Sequence, residues 1–398
     1  MTAAPTSTAA PAPDEPVALP PEDASLGVFR AVARAEKKTD GICDMTLQAV
    51  DVLPGGVAWI AGGCALRARY EGGRLHETRA KPITQQVGPA RATCASVQRY
   101  SAILARAADE VYSVGTRTCG HDPTGVTALD LERWDGRAFQ VVRSSEPRQD
   151  PHVSHVEALA AAPDGPLWGL ARGDEWHGPA VGGVFRRGKG KWGKAVRFAL
   201  PSDWASERTY PPARWVDHPT LTYESYVAMA ATATGGVWVV GKVRSMAKRL
   251  QDKGDDVLHG AAWRIEADGR ATMTVIDDLD LHDVSVGGDG SVWAVGQGLH
   301  RFDGQGWSKV PVPLAAPDRL SSVWARSAGD VWMVNFDKGI YHWDGRSIAR
   351  APMESGLEPR SIRGAGDEVW VVGMFAAARR VPVGAPAPGE AVVLGVLR

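Results

Sequence analysis

The sequence predicts an all-β protein built from copies of one four-stranded unit, and two repeated patterns predict it. The first is a short apolar strand around an aromatic landmark, as in Ser291-Val292-Trp293-Ala294-Val295-Gly296. The landmark recurs along the chain at Trp59, Tyr112, Trp168, Trp238, Trp293, Trp332 and Trp370. The second is a charged-aromatic strand and tight turn, as in Phe302-Asp303-Gly304, after each of the first six landmarks. Seven such units predict a seven-bladed β-propeller.

Each predicted blade is a four-stranded antiparallel sheet whose strands run a, b, c, d from the ring centre outward. In blade 5 we expect strands at His282–Val286, Val292–Val295, Leu299–Phe302 and Trp307–Val312. Asp303-Gly304 predicts a type I′ turn between strands c and d, because Asp-Gly tolerates positive φ. Blade 6 runs from Ser322 to Ala351 and blade 7 from Ser361 to Arg398. Leu26–Ala35 predicts an extra outer strand or a short helix, and how the ring closes stays open.

The composition predicts one domain and a tether. Residues 26–398 form the propeller, and 44% hydrophobic residues with 15 tryptophans supply its core. Residues 1–25 are rich in Ala, Pro and Thr, which predicts a disordered segment. This segment lacks the regions of a signal peptide. A cytoplasmic protein is therefore one alternative. The other is an exported protein, periplasmic or at the cell surface, whose signal has been removed and which is held by a lipid anchor.

Several function classes are disfavoured. A net charge of −1 without a basic stripe argues against nucleic acid as a partner. No apolar run is long enough to predict a transmembrane span. The fingerprints of nucleotide-binding loops, serine hydrolases and zinc peptidases are absent, so no cofactor is predicted. His155 and Glu157 would share a strand face, but no second histidine pair accompanies them, so no metal site is predicted.

The four cysteines lie in the first two repeats, at equivalent positions. Cys43 and Cys94 precede the landmarks of blades 1 and 2, and Cys64 and Cys119 follow them. The start of strand a lies beside the end of strand b, so we predict the disulfides Cys43–Cys64 and Cys94–Cys119. Free thiols and a four-cysteine zinc site are the alternatives, although no C-x₂-C pair is present. Disulfides would favour export, since they persist in oxidising compartments.

The connections between strands b and c are longest in three adjacent blades. The additional residues are Gly115–Thr127 in blade 2, Arg172–Val181 in blade 3 and Gly241–His259 in blade 4. The connection Pro201–Thr220 between blades 3 and 4 is also long. The b–c and d–a connections emerge on one face of a propeller, so long loops there predict a binding site. Neutral drift of tolerant surface loops is the alternative.

Aromatic and charged side chains on these segments are the candidate binding residues. Exposed aromatics beside a few polar groups suit a protein or glycan partner. The candidates are Trp176, His177, Trp204, Tyr210, Trp215, Asp217 and His218, with Arg244, Lys248 and Arg249 at the rim. Packing of the loops onto the scaffold is the alternative role.

The Val-Trp-x-Val-Gly strand followed by Phe/Trp-Asp-Gly resembles the repeats of bacterial propellers of the sensor-regulator and exported or lipoprotein types. The resemblance covers about residues 43–398 and implies a propeller fold, but no activity or catalytic residue. The sequence therefore favours a non-enzymatic binding or scaffold propeller that recognises a protein or glycan through the loops of blades 2–4. A propeller lyase or glycoside hydrolase acting at the central channel is the alternative.

Overall fold

The computed structural model describes most of the chain from residue 20 onward. The described residues are 20–35, 46–63, 65–79, 83–87, 90–94, 99–119, 126–145, 155–172, 183–188, 191–192, 196, 226–245, 257–276, 280–312, 319–335, 339–374, 376–386, 388 and 392–394. Within them no helix is both long and apolar enough to cross a bilayer.

The described chain is almost entirely β-strand, with one 3-10 turn at Ala24–Leu26. A first strand, β1 (Val28–Ala35), precedes the blades. Blade 1 contains β2 (Leu47–Leu53), β3 (Val57–Gly62), β4 (Leu66–Glu71) and β5 (Arg74–Arg79). A hairpin of β6 (Ile83–Val87) and β7 (Ala90–Cys94) leads to blade 2, which contains β8 (Arg99–Ala107), β9 (Glu110–Cys119), β10 (Val126–Trp134) and β11 (Phe139–Ser145).

The remaining blades follow in chain order. Blade 3 contains β12 (His155–Ala161), β13 (Leu167–Arg172), β14 (Gly183–Gly188) and β15 (Lys191–Trp192). Blade 4 contains β16 (Tyr226–Ala231), β17 (Val237–Ser245), β18 (Val257–Ile265) and β19 (Ala271–Ile276). Blade 5 contains β20 (Leu281–Val286), β21 (Val292–Gly296), β22 (Leu299–Phe302) and β23 (Trp307–Val310). Blade 6 contains β24 (Leu320–Ser327), β25 (Asp330–Asn335), β26 (Gly339–Trp343) and β27 (Ile348–Ala351), and blade 7 is built on β28 (Pro359–Ala365), β29 (Glu368–Gly373) and β30 (Ala376–Val381).

The described strands form seven separate sheets, which confirms the predicted seven-bladed propeller. Five of the sheets contain four antiparallel strands and nothing else, in the order a, b, c, d. Blade 2 is wider, because β7 pairs with the end of β9 and brings β6 with it. Blade 7 is also wider and closes the ring.

The landmark aromatics lie in strand b of every blade and pack into the next blade. Trp59 contacts a cluster with Tyr100 and Ile103 of blade 2, and Trp370 contacts Leu47 and Val50 of blade 1. The other five landmarks make the same step around the ring. The hydrophobic core is therefore a circle of clusters, each shared by two neighbouring blades.

An arginine or, in blade 6, a histidine lies directly opposite each landmark on strand c. The pairs are Trp59–Arg69, Tyr112–Arg133, Trp168–Arg186, Trp238–Arg264, Trp293–Arg301, Trp332–His342 and Trp370–Arg379. The guanidinium carbons of Arg69, Arg186 and Arg301 lie 5.8, 5.9 and 5.6 Å from the ring centroids of their tryptophans. Cation–π attraction and coverage by the arginine stems shield the outer edges of these rings from water.

The glycine that ends strand b allows strand a to begin beside it. A Cβ atom on Gly296 would lie 1.9 Å from the carbonyl oxygen of Asp280, and one on Gly373 would lie 1.7 Å from that of Glu358. No side chain fits at these distances, so the repeated glycine is required by the close approach of two backbone segments.

The Asp-Gly hairpins differ in detail from the predicted type I′ turns. Gly304 has a φ of 100°, but Asp303 does not have a positive φ, which a type I′ turn requires at both central residues. Instead the Asp303 carboxylate accepts hydrogen bonds from the amides of Gln305 and Gly306, both at 2.8 Å. Asp135 and Asp344 make the same contacts in blades 2 and 6.

The N-terminal strand closes the ring, which answers the question that the sequence left open. Strand β1 pairs antiparallel with β30 and so becomes the outer strand of blade 7. The C-terminal strand β31 (Val392–Leu394) adds to β1 in parallel, as a fifth strand. Of the two alternatives for Leu26–Ala35, the outer strand is therefore confirmed, and blade 7 extends beyond the predicted Ser361–Arg398. Phe29 anchors the closure, because its fully buried ring packs 5.7 Å from the ring of Trp332 in blade 6.

Residues 20–25, which the prediction assigns to the tether, lie along the outer strand of blade 6. The amide of Asp23 donates to the carbonyl of Arg350 at 2.9 Å, and the amide of Arg350 donates to that of Pro21 at 3.0 Å. Further on, the Glu354 carboxylate accepts from the Ala31 amide at 2.9 Å and pairs with Arg34 at 2.5 Å. Residues 20–35 therefore join blades 6 and 7 along their outer edge.

The first prediction concerns this closure. Phe29→Ala should lower the free energy of unfolding by about 3–5 kcal/mol, since it removes a buried aromatic ring that holds two blades together. Chemical denaturation monitored by tryptophan fluorescence measures the change. Val383→Ala is the matched control: Val383 lies beyond β30 and is 70% exposed, so its loss should change little. A similar stability for both variants would contradict closure by β1.

Candidate functional site

A central channel runs between the innermost strands of the blades. Residues from all seven a strands, β2, β8, β12, β16, β20, β24 and β28, line a cavity of about 400 Å³. Cavities of this size bind small ligands in other proteins. The chemistry of the channel therefore depends on which a-strand residues line it.

The channel wall has an apolar half and a polar half. In each a strand, one residue lies opposite the landmark of strand b and a second lies two positions earlier on the same face. In blades 2, 3 and 4 these residues are Ala102, Leu104, Ala158, Ala160, Ala228 and Ala230. In blades 5, 6, 7 and 1 they are Asp283, Ser285, Ser322, Trp324, Ser361, Arg363, Ala49 and Asp51. All except Trp324 line the cavity.

An ion pair between Asp283 and Arg363 organises the polar half. The two guanidinium nitrogens Nη1 and Nη2 of Arg363 donate to Oδ2 and Oδ1 of Asp283 at 2.7 and 3.1 Å. The Ser322 hydroxyl donates to Oδ2 at 2.6 Å and accepts from Arg363 Nη1 at 3.1 Å. Blades 5, 6 and 7 are thus joined by one charge-assisted network.

Polar side chains of the channel wall accept hydrogen bonds from the innermost strand of the following blade. Asp283 accepts from the amide of Val323 at 3.0 Å, and Ser285 from that of Ala325 at 2.9 Å. In the same way, Ser322 accepts from Ile362 at 3.1 Å, and Asp51 accepts from Ala105 at 2.7 Å. An innermost strand is a sheet edge with unpaired amides, so these contacts satisfy donors that would otherwise depend on water.

Burial in the channel changes the acidity of Asp51. Burial in the channel raises its pKa to about 6, although the amides of Ala105 and Val52 and the charge of Arg363 all act to lower it. Desolvation disfavours the ionised form because the protein cannot replace the hydration of a charge. The channel thus holds a carboxylate that titrates close to neutral pH.

A second cluster of charges lies at the mouth of the channel, on the face that carries the b–c and d–a connections (the insertion face). Arg319 Nη1 donates to Asp280 Oδ2 at 2.9 Å, Lys242 Nζ lies 3.9 Å from the same oxygen, and His282 Nε2 lies 3.4 Å from Oδ1. Burial pushes the pKa of Asp280 upward, but His282, Arg319 and Lys242 outweigh burial and leave it below its ordinary value. The cluster ties blades 4, 5 and 6 together.

Blades 2 and 4 project paired strands beyond this mouth. In blade 5 the ladder between strands b and c ends at Val295–Leu299. In blade 2 the ladder continues through five further pairs, to Cys119–Val126, and in blade 4 it continues through five more, to Ser245–Val257. At 3.4 Å per residue each ribbon extends roughly 17 Å past the level of blade 5. The prediction of loops is therefore wrong for these residues, which are strands.

A buried ion pair supports the base of the blade 2 ribbon. Arg67 of blade 1 pairs with Glu132 of blade 2, and both side chains are almost completely buried. The Tyr100 hydroxyl donates to the same carboxylate at 2.9 Å, and the Arg67 guanidinium lies 3.7 Å from the centre of the Phe139 ring. The pair fixes blade 1 against the lower end of the ribbon.

Most predicted site residues lie outside the described residues. This holds for Trp176, His177, Trp204, Tyr210, Trp215, Asp217, His218, Lys248 and Arg249. Arg244 lies in β17, near the end of the blade 4 ribbon, and its side chain is not among those described. Cys43 and Cys64 are also outside, whereas the backbones of Cys94 and Cys119 lie directly opposite each other in β7 and β9.

No motif in the sequence pointed to the channel residues Asp51, Asp283, Ser285, Ser322 and Arg363. The sequence did contain a difference that indicates them. The strand a position opposite the landmark holds alanine in blades 3 and 4, at Ala160 and Ala230. Aligning the a strands rather than the b strands would have shown that polar residues fall on one side of the ring only.

No family model and no curated protein matches the chain. Solved structures do match. YCF48 bound to a D1 peptide has a TM-score of 0.55 at 12% identity and covers 92% of this chain and 99% of its own. The Dos1 propeller has a TM-score of 0.53 at 8% identity, with 95% and 98% covered. A GH74 xyloglucanase from Xanthomonas campestris has a TM-score of 0.53 at 14% identity, with 92% of this chain and 55% of its own covered. These likenesses establish the class of the protein as a β-propeller; at such low identity they carry the fold alone.

The second prediction uses the acidity of Asp51. Between about pH 4 and pH 6 the folded protein binds a proton on Asp51 that the unfolded chain has lost, so this residue makes stability fall as the pH rises. Asp51→Asn keeps an acceptor for the Ala105 amide and does not titrate. Relative to the wild type, its free energy of unfolding should rise by about 3 kcal/mol between about pH 4 and pH 7.

Urea denaturation at a series of pH values measures this difference. Asp344→Asn is the control, because hydrogen bonds from the Ser347 and Arg346 amides lower the pKa of Asp344. Its stability relative to the wild type should fall, not rise, as the pH increases. A pH-independent difference for Asp51→Asn would show that Asp51 has an ordinary pKa.

Proposed function

We propose that the protein is a non-enzymatic binding propeller that recognises a protein or peptide partner on the insertion face, over blades 2–4. The single observation that carries the proposal is the pair of ribbons on blades 2 and 4. They extend past the mouth of the channel on both sides of blade 3 and bound the surface from which its b–c connection emerges. Loops and hairpins held by a rigid scaffold are common sites of recognition.

The chemistry of this face suits a polar segment of a partner. The cations Lys242 and Arg319 lie at the channel mouth around the single carboxylate of Asp280. The aromatic candidates Trp176, Trp204 and Trp215 belong in sequence to the b–c connection of blade 3 and to the connection between blades 3 and 4. An aromatic centre with a charged rim is the usual composition of a binding surface. The structurally similar YCF48 is bound to a peptide, which is consistent with a protein partner.

The alternative of a glycosidase in the channel has less support. Glycoside hydrolysis needs one carboxyl group that gives a proton and a second that acts on the sugar or on water. In the channel, Asp283 is held in a bidentate pair by Arg363 and accepts three further hydrogen bonds, from Ser322, Val323 and Val284. These partners suit a carboxylate that stabilises the ring, and they do not suit a catalytic acid or nucleophile. A glycan partner for the insertion face remains a variant of the binding proposal.

Export to the periplasm or the cell surface, with a lipid anchor, is part of the proposal. Its support is the position of the cysteines. Residues directly opposite in an antiparallel pair have Cα atoms about 4.5–5.5 Å apart, within the range that a disulfide spans. Cys94 and Cys119 have this relation. A cytoplasmic protein with four free thiols is the competing possibility.

The third prediction tests the site. Replacing Trp176, Trp215 and His218 together with alanine should abolish binding of the partner while the melting temperature stays nearly unchanged. The partner is first obtained by affinity purification from the native organism, and its binding to the purified propeller is then measured by calorimetry. Surviving affinity, or an unfolded variant, would place the site elsewhere and assign these residues to packing.

Two further variants sharpen this test. In the first, the Gln297-Gly298 connection of blade 5 replaces residues 242–261 of blade 4, which removes the ribbon and keeps the shorter ladder. It should bind the partner more weakly. In the second, alanine replaces Arg137, Gln305 and Arg346, which are exposed on the opposite face. Their loss should leave partner binding intact, and equal loss in both variants would argue against a site on the insertion face.

The fourth prediction concerns the cysteines. Peptide mapping without reduction should find the disulfides Cys43–Cys64 and Cys94–Cys119. Each closes a short loop and should stabilise the fold by about 3 kcal/mol in the chain-entropy model, so reduction should lower the melting temperature. In the Cys94→Ser variant, reduction should lower the melting temperature less, because the disulfide of blade 2 is already absent. Four alkylated thiols in protein isolated from its own compartment would remove the support for export.

A further inference from the structure

The channel contains a carboxylate with unused hydrogen-bonding capacity. Asp51 accepts one hydrogen bond on each oxygen, from the amide of Val52 at 3.0 Å and from that of Ala105 at 2.7 Å. A carboxylate has about four acceptor positions, so two of them remain. Because Asp51 lines the cavity, a donor placed in the channel can reach it.

The charge of Asp51 is balanced less completely than that of its neighbours. Arg363 gives its two terminal nitrogens to Asp283 and acts on Asp51 only through space. Among the described side chains, no basic group forms an ion pair with Asp51 at 4.0 Å or less. Arg360 and His282 also line the cavity, but they belong to the insertion-face ends of their strands, and His282 contacts Asp280. An ionised Asp51 therefore has no direct ion-pair partner among the described residues that line the channel.

The opposite wall offers apolar surface. Ala158, Ala160, Ala228 and Ala230 line the cavity on the side of blades 3 and 4. Val227 in the same wall is 40% exposed, although most large apolar side chains in the described chain are covered. Small side chains leave room there, and the exposed valine would be covered by an apolar ligand.

We propose that the central channel binds an alkylammonium group, with Asp51 as the anion that receives its N–H donors and the alanine wall of blades 3 and 4 as the surface that covers its hydrocarbon part. The cavity volume of about 400 Å³ is large enough for a small alkylammonium ligand. An ammonium gives up to three donors, which matches the free acceptor positions of a carboxylate.

The acidity of Asp51 agrees with this role. Burial raises its pKa to about 6, so the channel by itself disfavours the charged form. A bound cation would replace the missing hydration and favour ionisation. A neutral or anionic ligand would not offer this compensation.

The test compares hexylamine with hexanol and hexanoate, which share its chain but differ in charge. Calorimetric titration of the full chain at neutral pH should show binding of hexylamine and at least about tenfold weaker binding of the other two. Asp51→Asn should weaken hexylamine binding by about tenfold or more, whereas Asp344→Asn, the same change on an exposed hairpin, should not. Three results would each overturn the proposal. They are an affinity for hexanoate or hexanol equal to that for hexylamine, unchanged hexylamine binding by a folded Asp51→Asn, and no binding of hexylamine at all. The comparison of ligands on the wild type decides the matter if the variant does not fold.

The alkylammonium group could belong to a free amine or to a lysine of a bound polypeptide. A short peptide with one central lysine, with blocked ends, distinguishes the two sources when compared with its norleucine counterpart. Binding of the lysine peptide alone assigns the channel to a polypeptide. Binding of hexylamine without the lysine peptide assigns it to a small molecule. Because the channel test uses no protein partner, its result is independent of the proposed partner on blades 2–4.

Discussion

The propeller depends on one interaction that is made seven times, the packing of the strand b aromatic of each blade into the next blade. A four-stranded sheet of this size cannot bury both of its faces alone, and stacking supplies the missing cover. Each aromatic side chain buries a large apolar area, so each interface gains more from its landmark than from any aliphatic residue. Since the last landmark, Trp370, packs on blade 1, the same interaction also closes the ring.

Closure explains why the chain ends meet in blade 7. Strand β1 comes from the N-terminal side and β30 from the C-terminal side, so their pairing joins the two parts of the ring by backbone hydrogen bonds. The contacts of Glu354 with Ala31 and Arg34 extend the joint to blade 6. The polar half of the channel lies in the same sector, and its Asp283–Arg363 pair links blades 5 and 7 across blade 6. Closure is therefore reinforced both at the rim and at the centre.

The repeats predicted the fold because they reflect packing that recurs around the ring. The landmark, the glycine after it and the Asp-Gly hairpin each satisfy a local requirement, so they recur and can be read without coordinates. The partner of β1 could not be predicted in this way, because it depends on pairing between residues more than 300 positions apart in the chain. Likewise, Gly241–His259 has too little hydrophobic alternation to separate a ribbon from a loop, and only the pairing of β17 with β18 decides it.

The candidate sites were harder to infer for a related reason: function resides in departures from the repeat. Five of the seven strand a positions opposite a landmark carry Leu104, Ala160, Ala230, Ser285 or Trp324, and only Asp51 and Arg363 carry a charge. Arg363 is explained by its partner, Asp283. Asp51 is not explained by packing, since an asparagine or serine could accept the Ala105 amide without the cost of burying a charge. A charge kept at a position where the fold does not need one points to a role in binding rather than in stability.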